Sequence, residues 1–485
     1  MNPIPVKKNE KYIVDIVDNG FGGEGIAKID GFTIFIPNTI KGEKCEILIV
    51  KVLSSHAYGK IVRILETSKD RTDIDCATYQ RCGGCDLRHM TYENTLNLKR
   101  EIVQSLVNKG LKNKVAVEDT IGMDNPYNYR NKAQYPVGID KNGNPAVGVF
   151  AQRTHTIIPI ENCMIQTEIS QDIAKTIINF IKEKNISVYN EEKQTGLVRH
   201  IVIKVGKYTN QVMCILVVNS RNYNSPIDTE LVELLRRKYP EIKTIIKNIN
   251  TQNTNVILGK ENINIYGDGY IEDKLGEYTF KISPMSFYQV NPVQAEILYN
   301  TAIEAAKLSK EDVLFDLYCG IGTIGIFASR YVKQVYGIEI VPQAISDAIE
   351  NAKINNIKNA EFIVGDVETA FDELINKKQI IPTAIIVDPP RKGLDDKTIQ
   401  NILKIKPEKL VYISCNPATM VRDLAKMEEV YNISKIQPVD MFPFTKHVEC
   451  VAVLNLVFFN YWFILRNTNS VFLFDTIYEE HYLDI

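Results

Sequence analysis

Val313-Leu-Phe-Asp-Leu-Tyr-Cys-Gly-Ile-Gly-Thr-Ile-Gly325 is a short apolar run that stops at a glycine-rich turn and resumes as a second apolar segment. The order is strand, loop, helix. The spacing Gly320-x-Gly322-x-x-Gly325 lets the backbone turn sharply and a ligand approach it closely, a pattern shared with nicotinamide-binding proteins. The following strands narrow the choice. Gln334–Glu339 ends in an acid able to accept both ribose hydroxyls, and 361–366 ends in Asp366, placed to reach an adenine edge. A fourth strand, Ala384–Val387, runs into Asp388-Pro389-Pro390-Arg391. With Asp316 before the glycines, four successive strands end in Asp or Glu. Strands alternating with helices predict an α/β fold with a Rossmann-like sheet and ligands at the carboxyl ends of its strands. An adenosine pocket with no dedicated pyrophosphate grip suits S-adenosylmethionine better than NAD. Each acid alone would also serve as a helix N-cap; four in series favour the pocket.

The fifth strand of the series, Leu410–Ile413, feeds into Ser414-Cys415-Asn416-Pro417. This puts Cys415 at the same sheet edge, where it is a candidate nucleophile; a free cysteine is otherwise most often a small buried hydrophobe. A last hairpin brings His447-Val448-Glu449. A thiolate and a carboxylate beside a methyl donor answer a particular chemical difficulty. Carbon 5 of a pyrimidine is too weak a nucleophile to attack a sulfonium methyl until a thiolate adds at carbon 6. After transfer a base must remove the carbon-5 proton. Cys415 suits the first role and Glu449 the second, with the diproline as a wall for the ring. Methylation of an exocyclic amine calls for an aromatic after the Pro-Pro pair, where this chain has Arg391. The cytosine-5 chemistry of RNA calls for a second cysteine after a proline on the fourth strand, which is missing.

Upstream, residues 4 to 64 alternate apolar and polar positions between Asn-Gly, Gly-Gly and Asp-Gly turns, the texture of a small β-barrel. Lys41, Lys44, Lys51, Lys60 and Arg63 on it are a nucleic-acid contact or only a solvated face. Next, Cys76-x5-Cys82-Gly-Gly-Cys85 places three cysteines in a flexible loop, with Cys163 the best fourth. Four thiolates satisfy Zn²⁺ or an iron–sulfur cluster, and the spacing matches neither the paired knuckles of zinc ribbons nor radical enzymes; iron–sulfur is favoured. Residues 95–114 read as an exposed amphipathic helix rich in Lys and Arg. Tyr127-Asn-Tyr-Arg-Asn-Lys132, followed by Arg153 and His155, interleaves aromatics and cations as single-stranded RNA sites do and as ordinary loops also do.

The 485 residues, 45% apolar and 24% charged, suit about three domains of a globular protein. A net charge of −2 confines any nucleic-acid binding to local patches. The N-terminal residues lack a signal-peptide core, and the most apolar run, 451–465, is interrupted and short for a bilayer. A cytoplasmic, non-membrane protein is expected, and its nine cysteines are then metal ligands or reactive groups rather than disulfides.

Taken in order, these motifs resemble the bacterial RNA uracil-5-methyltransferases, nearest the 23S rRNA branch that carries an iron–sulfur cluster. The resemblance runs from about residue 4 to 456 through a TRAM-like barrel, the cysteine loop, Ser283-Pro-Met-Ser-Phe-Tyr-Gln289-Val-Asn291, the glycine loop, Asp388-Pro-Pro-Arg, Ser414-Cys-Asn-Pro and His447-Val-Glu449. It implies S-adenosylmethionine held by Gln289, Tyr318, Glu339 and Asp388, with Asp366 and Thr323 beside them. Thr323 stands where many members have Asn. It further implies Cys415 as nucleophile, Glu449 as base and a [4Fe-4S] cluster on Cys76, Cys82, Cys85 and Cys163. The tRNA-specific branch lacks both barrel and cluster cysteines, which points to 23S rRNA; a tRNA uracil methyltransferase and, more remotely, a nicotinamide oxidoreductase are the alternatives. The expected division is a TRAM barrel at 4–64, a central α+β domain at 65–282, a catalytic domain at 283–456 and an extension at 457–485 with no assigned role. The protein is expected to act as a monomer.

Overall fold

The computed structural model describes residues 4–151, 154–222 and 225–457; Arg153 and the stretch 458–485 with Trp462 lie outside the described residues. The fold is mixed α/β. The decisive sheet has seven strands: β1 (Val313–Leu317), β2 (Gln334–Glu339), β3 (Ala360–Val364), β4 (Ala384–Val387), β5 (Lys409–Ser414), β6 (Tyr431–Val439) and β7 (Glu449–Leu456). Their spatial order is β3-β2-β1-β4-β5-β7-β6, with β1 to β5 parallel and β7 antiparallel to both neighbours. A parallel sheet needs cover on both faces, and the period of two in each strand delivers it. Leu314, Ile386, Val411, Ile413, Val451 and Val453 face one core, shared with the helices Pro292–Ala306, Thr323–Ser329 and Pro342–Ile354. Phe315, Leu317, Ile385, Leu410, Tyr412 and Leu454 face the other, shared with Asp396–Ile405 and Pro417–Ala425.

The N-terminal strands form a six-stranded sheet that closes on itself. The backbone of Ile16–Val17 bonds to Glu43 on one side and, through Val17 N–H to Ile26 O at 2.8 Å, to the opposite edge on the other. Between barrel and catalytic sheet lies a second seven-stranded sheet, from Lys132–Ile139 to Glu261–Tyr266.

The helix read as 95–114 spans Tyr92–Gly110, and it is not an exposed face. Val103 and Val107 join the catalytic core, Leu98 and Ile102 pack on Leu87 and Met90, and Lys99 is fully buried with Nζ donating to Asp440 Oδ1. A lysine on an amphipathic pattern normally reads as solvent-facing; a buried ion pair leaves no mark on the periodicity. The chain after this helix then bridges β6 in parallel at Val117–Ile436 and Ile121–Val439, covering what would otherwise be an open sheet edge.

Candidate active site

Strand register builds the site. Leu317 pairs with Ile338 on one side and Val387 on the other, so the next residues, Tyr318, Glu339 and Asp388, form a row at the carboxyl edge. On the far side Ser414 pairs with Cys450, which carries Glu449 to the level of Cys415. Asn416 caps the helix that follows, its side chain accepting from Ala418 N–H with Pro417 at the first helical position. Its amide also donates to the Arg391 carbonyl at 3.1 Å, tying the cysteine turn to the diproline turn.

The result is one cavity of about 740 Å³. Gln289, Tyr318, Thr323, Glu339, Asp366, Asp388, Cys415 and Glu449, all singled out from sequence, line it together. Glu339 accepts from Gly320 N–H and Val341 N–H, so its carboxylate is oriented before any ligand arrives. Asp366 is exposed and caps the next helix through Thr369 N–H and Oγ1 while still facing the cavity. Tyr318 holds φ +66°, a backbone state costly for a bulky residue and concentrated at functional sites. Asp316 is different. It lies two residues short of the row, is fully buried away from the cavity lining, and accepts from Gly325 N–H at 2.8 Å. It steadies the glycine turn; of the four strand-end acids, three reach the pocket.

Of the nine cysteines, Cys45, Cys214, Cys319 and Cys450 are buried, whereas Cys415 is half-buried on the cavity wall. Cys415 is thus not enclosed in the core. Its surroundings hold it as a thiol: burial and the carboxylates of Glu449 and Asp388 push it up to about 11, with the Arg391 guanidinium pulling the other way. Burial, reinforced by Asp388, raises Glu449 to about 8, and burial raises Asp388 to about 7. A carboxyl group raised in this way keeps its proton at neutral pH and, once ionised, is a stronger base than an ordinary carboxylate. A cation entering the cavity would lower all three.

Sequence reading missed several contributors. Tyr299 lines the cavity from inside a helix and bonds Thr323 Oγ1, yet looks like any core aromatic along the chain. Phe442 lines the cavity from the loop before β7, as does His447, which the sequence marks only as part of the motif leading to Glu449. Lys204, buried on a distant strand, donates to the carbonyls of Ser283 and Ser286 and so holds the loop that presents Gln289. Burial, with Lys132 adding to it, lowers this lysine to about 7.

A second cavity, of about 460 Å³, is lined by Cys76, Cys82, Cys85 and Cys163 together. All four are half-buried. Burial pushes the Cys85 thiol up to about 12, while Arg88 opposes it. Among the described residues no three His, Cys, Asp or Glu side chains are grouped so as to hold a single metal ion.

Comparison with known proteins joins these observations. Residues 91–457 match the family model described as tRNA (uracil-5-)-methyltransferase, and residues 5–62 match the TRAM domain. The chain belongs to this family. A relative from Clostridium acetobutylicum described as an uncharacterized RNA methyltransferase is 45% identical, covering 94% of this chain and 99% of its own. A similarly described Bacillus cereus protein is 42% identical over 93% of this chain and 98% of its own. The crystal structure of Pyrococcus abyssi tRNA (uracil-54, C5)-methyltransferase with S-adenosyl-L-homocysteine is 27% identical at a TM-score of 0.71, covering 92% of this chain and 100% of that one. This chain is accordingly a member of the uracil-5-methyltransferase family that carries a TRAM domain. No helix among the described residues is long and apolar enough to cross a membrane.

Proposed function

We propose that this enzyme methylates carbon 5 of a uridine in 23S rRNA, as a monomer in the cytoplasm, through a covalent bond between Cys415 and carbon 6 of the ring. The observation that carries this reading is the presence of Cys415 and Glu449 on the wall of the cavity framed by the acid-tipped strands. When bound there, S-adenosylmethionine supplies an electrophilic methyl group on a sulfonium. Cys415 Sγ, which gives its proton to solvent and regains one when the cycle ends, adds as thiolate to carbon 6 and the electron pair moves to the carbonyl, leaving carbon 5 nucleophilic. Carbon 5 takes the methyl group, releasing S-adenosylhomocysteine. Glu449 then removes the carbon-5 proton, the ring double bond re-forms and the thiolate leaves. The balance is uridine plus methyl donor giving 5-methyluridine, S-adenosylhomocysteine and one proton. Gln289, Tyr318, Thr323, Glu339, Asp366 and Asp388 hold the cofactor in this reading. A uridine in folded RNA must leave its stack to reach Cys415, and the barrel (4–64) and central domain (65–282) grip the RNA while 283–456 does the chemistry.

The four-cysteine cavity offers the donor type that a [4Fe-4S] cluster takes, since all four are soft thiols on one cavity wall. The cluster would brace this part of the RNA surface. The cysteine set and barrel favour rRNA only over those tRNA enzymes that lack them. The Pyrococcus abyssi structure favours tRNA as the second reading, because a tRNA enzyme there covers nearly the same length of chain. Mapping 5-methyluridine in 23S rRNA and tRNA with and without the gene separates them. Loss from 23S rRNA supports the proposal; loss from tRNA alone overturns it.

A further inference from the structure

Cys415 closes two cavities. Besides the cofactor cavity it borders an outer one of about 340 Å³, whose wall includes Phe21, Arg391, Asn416, Lys446 and His447. Phe21 comes from the N-terminal barrel, nearly four hundred residues away in sequence, and is 48% exposed. It is not a loose tip. Its turn is closed by Gly20 N–H to Glu24 O at 2.7 Å and Gly23 N–H to Gly20 O at 3.0 Å, and Asn19 Nδ2 fastens it to Thr39 O. Gly23 (φ +80°) presses so closely on Leu87 that a Cβ there would stand 2.3 Å from Leu87 Cδ2. Leu87 belongs to the cluster with Met90, Leu98 and Ile102 that seats the barrel against the helix Tyr92–Gly110. An aromatic is therefore held half in water, on a docked loop, at the entrance to the nucleophile.

We propose that this outer cavity binds the RNA nucleotide next to the methylated uridine, with its base stacked on Phe21. The proposal rests on the RNA-methylating reading of Cys415. With the cofactor in the inner cavity, a uracil must approach Cys415 from the outer side, and the chain it hangs from must occupy that entrance. An unpaired base finds an exposed aromatic face there. Its phosphate finds Arg391 and Lys446, the latter also 3.9 Å from Asp86. The chemical class is an unpaired ribonucleotide, accepted by stacking rather than by base-edge readout.

The test is fluorescence-anisotropy titration of a labelled single-stranded oligouridine 12-mer with the full chain, for wild type, Phe21→Ala and Phe21→Trp, at several salt concentrations. Phe21→Ala should weaken binding roughly tenfold, leave the slope of affinity against salt unchanged, and leave S-adenosylmethionine affinity and the melting temperature as in wild type. Phe21→Trp should restore affinity. Equal affinity of Phe21→Ala and wild type, or an affinity loss that low salt abolishes as for a phosphate contact, overturns the proposal. Binding is read without turnover, so wild-type protein that binds the oligomer but methylates neither rRNA nor tRNA counts against the proposed reaction and not against Phe21.

Discussion

The guanidinium carbon of Arg88 stands 4.3 Å from the centre of the Phe444 ring. Arg88 is buried just past the cysteine loop and is clamped by Asp75, its Nε donating to Oδ1 at 2.8 Å. Phe444 lies five residues before Glu449, and its carbonyl accepts from both Asp86 N–H and Leu87 N–H. Its ring shares a cluster with Tyr129, Ile165, Cys85 and Cys163. The wall of the cysteine cavity and the loop that leads to Glu449 are thus one packed unit. Replacing Arg88 by Met keeps much of the packing volume and removes the cation, so a loss of about 2 kcal/mol in unfolding free energy is expected. The turnover number should fall while S-adenosylmethionine affinity, which depends on other strands, holds. Urea melts, steady-state kinetics and calorimetry measure the three quantities; an unchanged turnover number would show that cavity and base are mechanically independent.

Glu449→Gln separates the two halves of the reaction. Without the base, the covalent RNA adduct on Cys415 should accumulate on ordinary RNA as a band stable to denaturing electrophoresis, whereas Cys415→Ala should form none and make no product. The same Glu449→Gln variant removes one of the carboxylates that raise Cys415. Its thiol should therefore titrate lower than in wild type, read as the pH dependence of alkylation by iodoacetamide. An unmoved thiol would mean that Glu449 does not face it.

Much of this site is legible along the chain because each piece is local. Ser414-Cys-Asn-Pro combines a strand end, a helix cap and a first-turn proline in four residues, and His447-Val-Glu449 opens the strand that pairs with it. What stays hidden depends on the third dimension. Asp316 looks like its neighbours' equal but sits two residues below the sheet edge, which only register reveals. Lys99 and Lys204 look solvated, yet one is paired with Asp440 and the other with two loop carbonyls in the interior. Tyr299 is indistinguishable from a core residue until Thr323 is seen beside it. Phe21 and Cys415 line one cavity from distant parts of the chain, a juxtaposition for which no sequence pattern exists.

The cysteine cavity gives a spectroscopic prediction. Cys82 accepts from Gly84 N–H at 3.2 Å, the kind of contact that orients a sulfur ligand. If the four cysteines hold the proposed cluster, anaerobically purified protein should show a brown absorbance that Cys82→Ser abolishes, and the variant should bind RNA more weakly. Iron content, the visible spectrum and RNA titration measure these. Full RNA affinity without iron would remove any need for the cluster at that surface.

Two glycines of one turn should respond differently to the same change. Gly320 (φ +56°) has open space where a Cβ would go, so Gly320→Ala carries only the left-handed backbone cost of about 1 kcal/mol. At Gly322 (φ +80°) a Cβ would stand 2.8 Å from Phe362 Cζ and 3.1 Å from Ala348 Cβ. Gly322→Ala adds overpacking of about 1–3 kcal/mol to the backbone cost. Denaturant melts of the ligand-free protein should rank the variants wild type, Gly320→Ala, Gly322→Ala in falling stability; equal losses would mean that the turn yields.

Glu449 also sets a pH dependence of stability whose sign follows from its environment. Burial raises it from an ordinary 4.5 to about 8 in the folded protein, so the folded state binds its proton more tightly than the unfolded chain does. The stability this contributes is fully present below about 4.5 and is lost as pH rises through about 8. Asp388, raised by burial from 3.8 to about 7, acts in the same direction. The melting temperature of the ligand-free protein should therefore decline between pH 5 and 9. Glu449→Gln, which stays neutral throughout, should decline less and should gain on wild type at the alkaline end. Added S-adenosylmethionine, whose sulfonium favours the ionised carboxylates, should flatten the wild-type curve by stabilising it most at high pH. Parallel curves for wild type and Glu449→Gln would show that Glu449 titrates as an ordinary solvated acid.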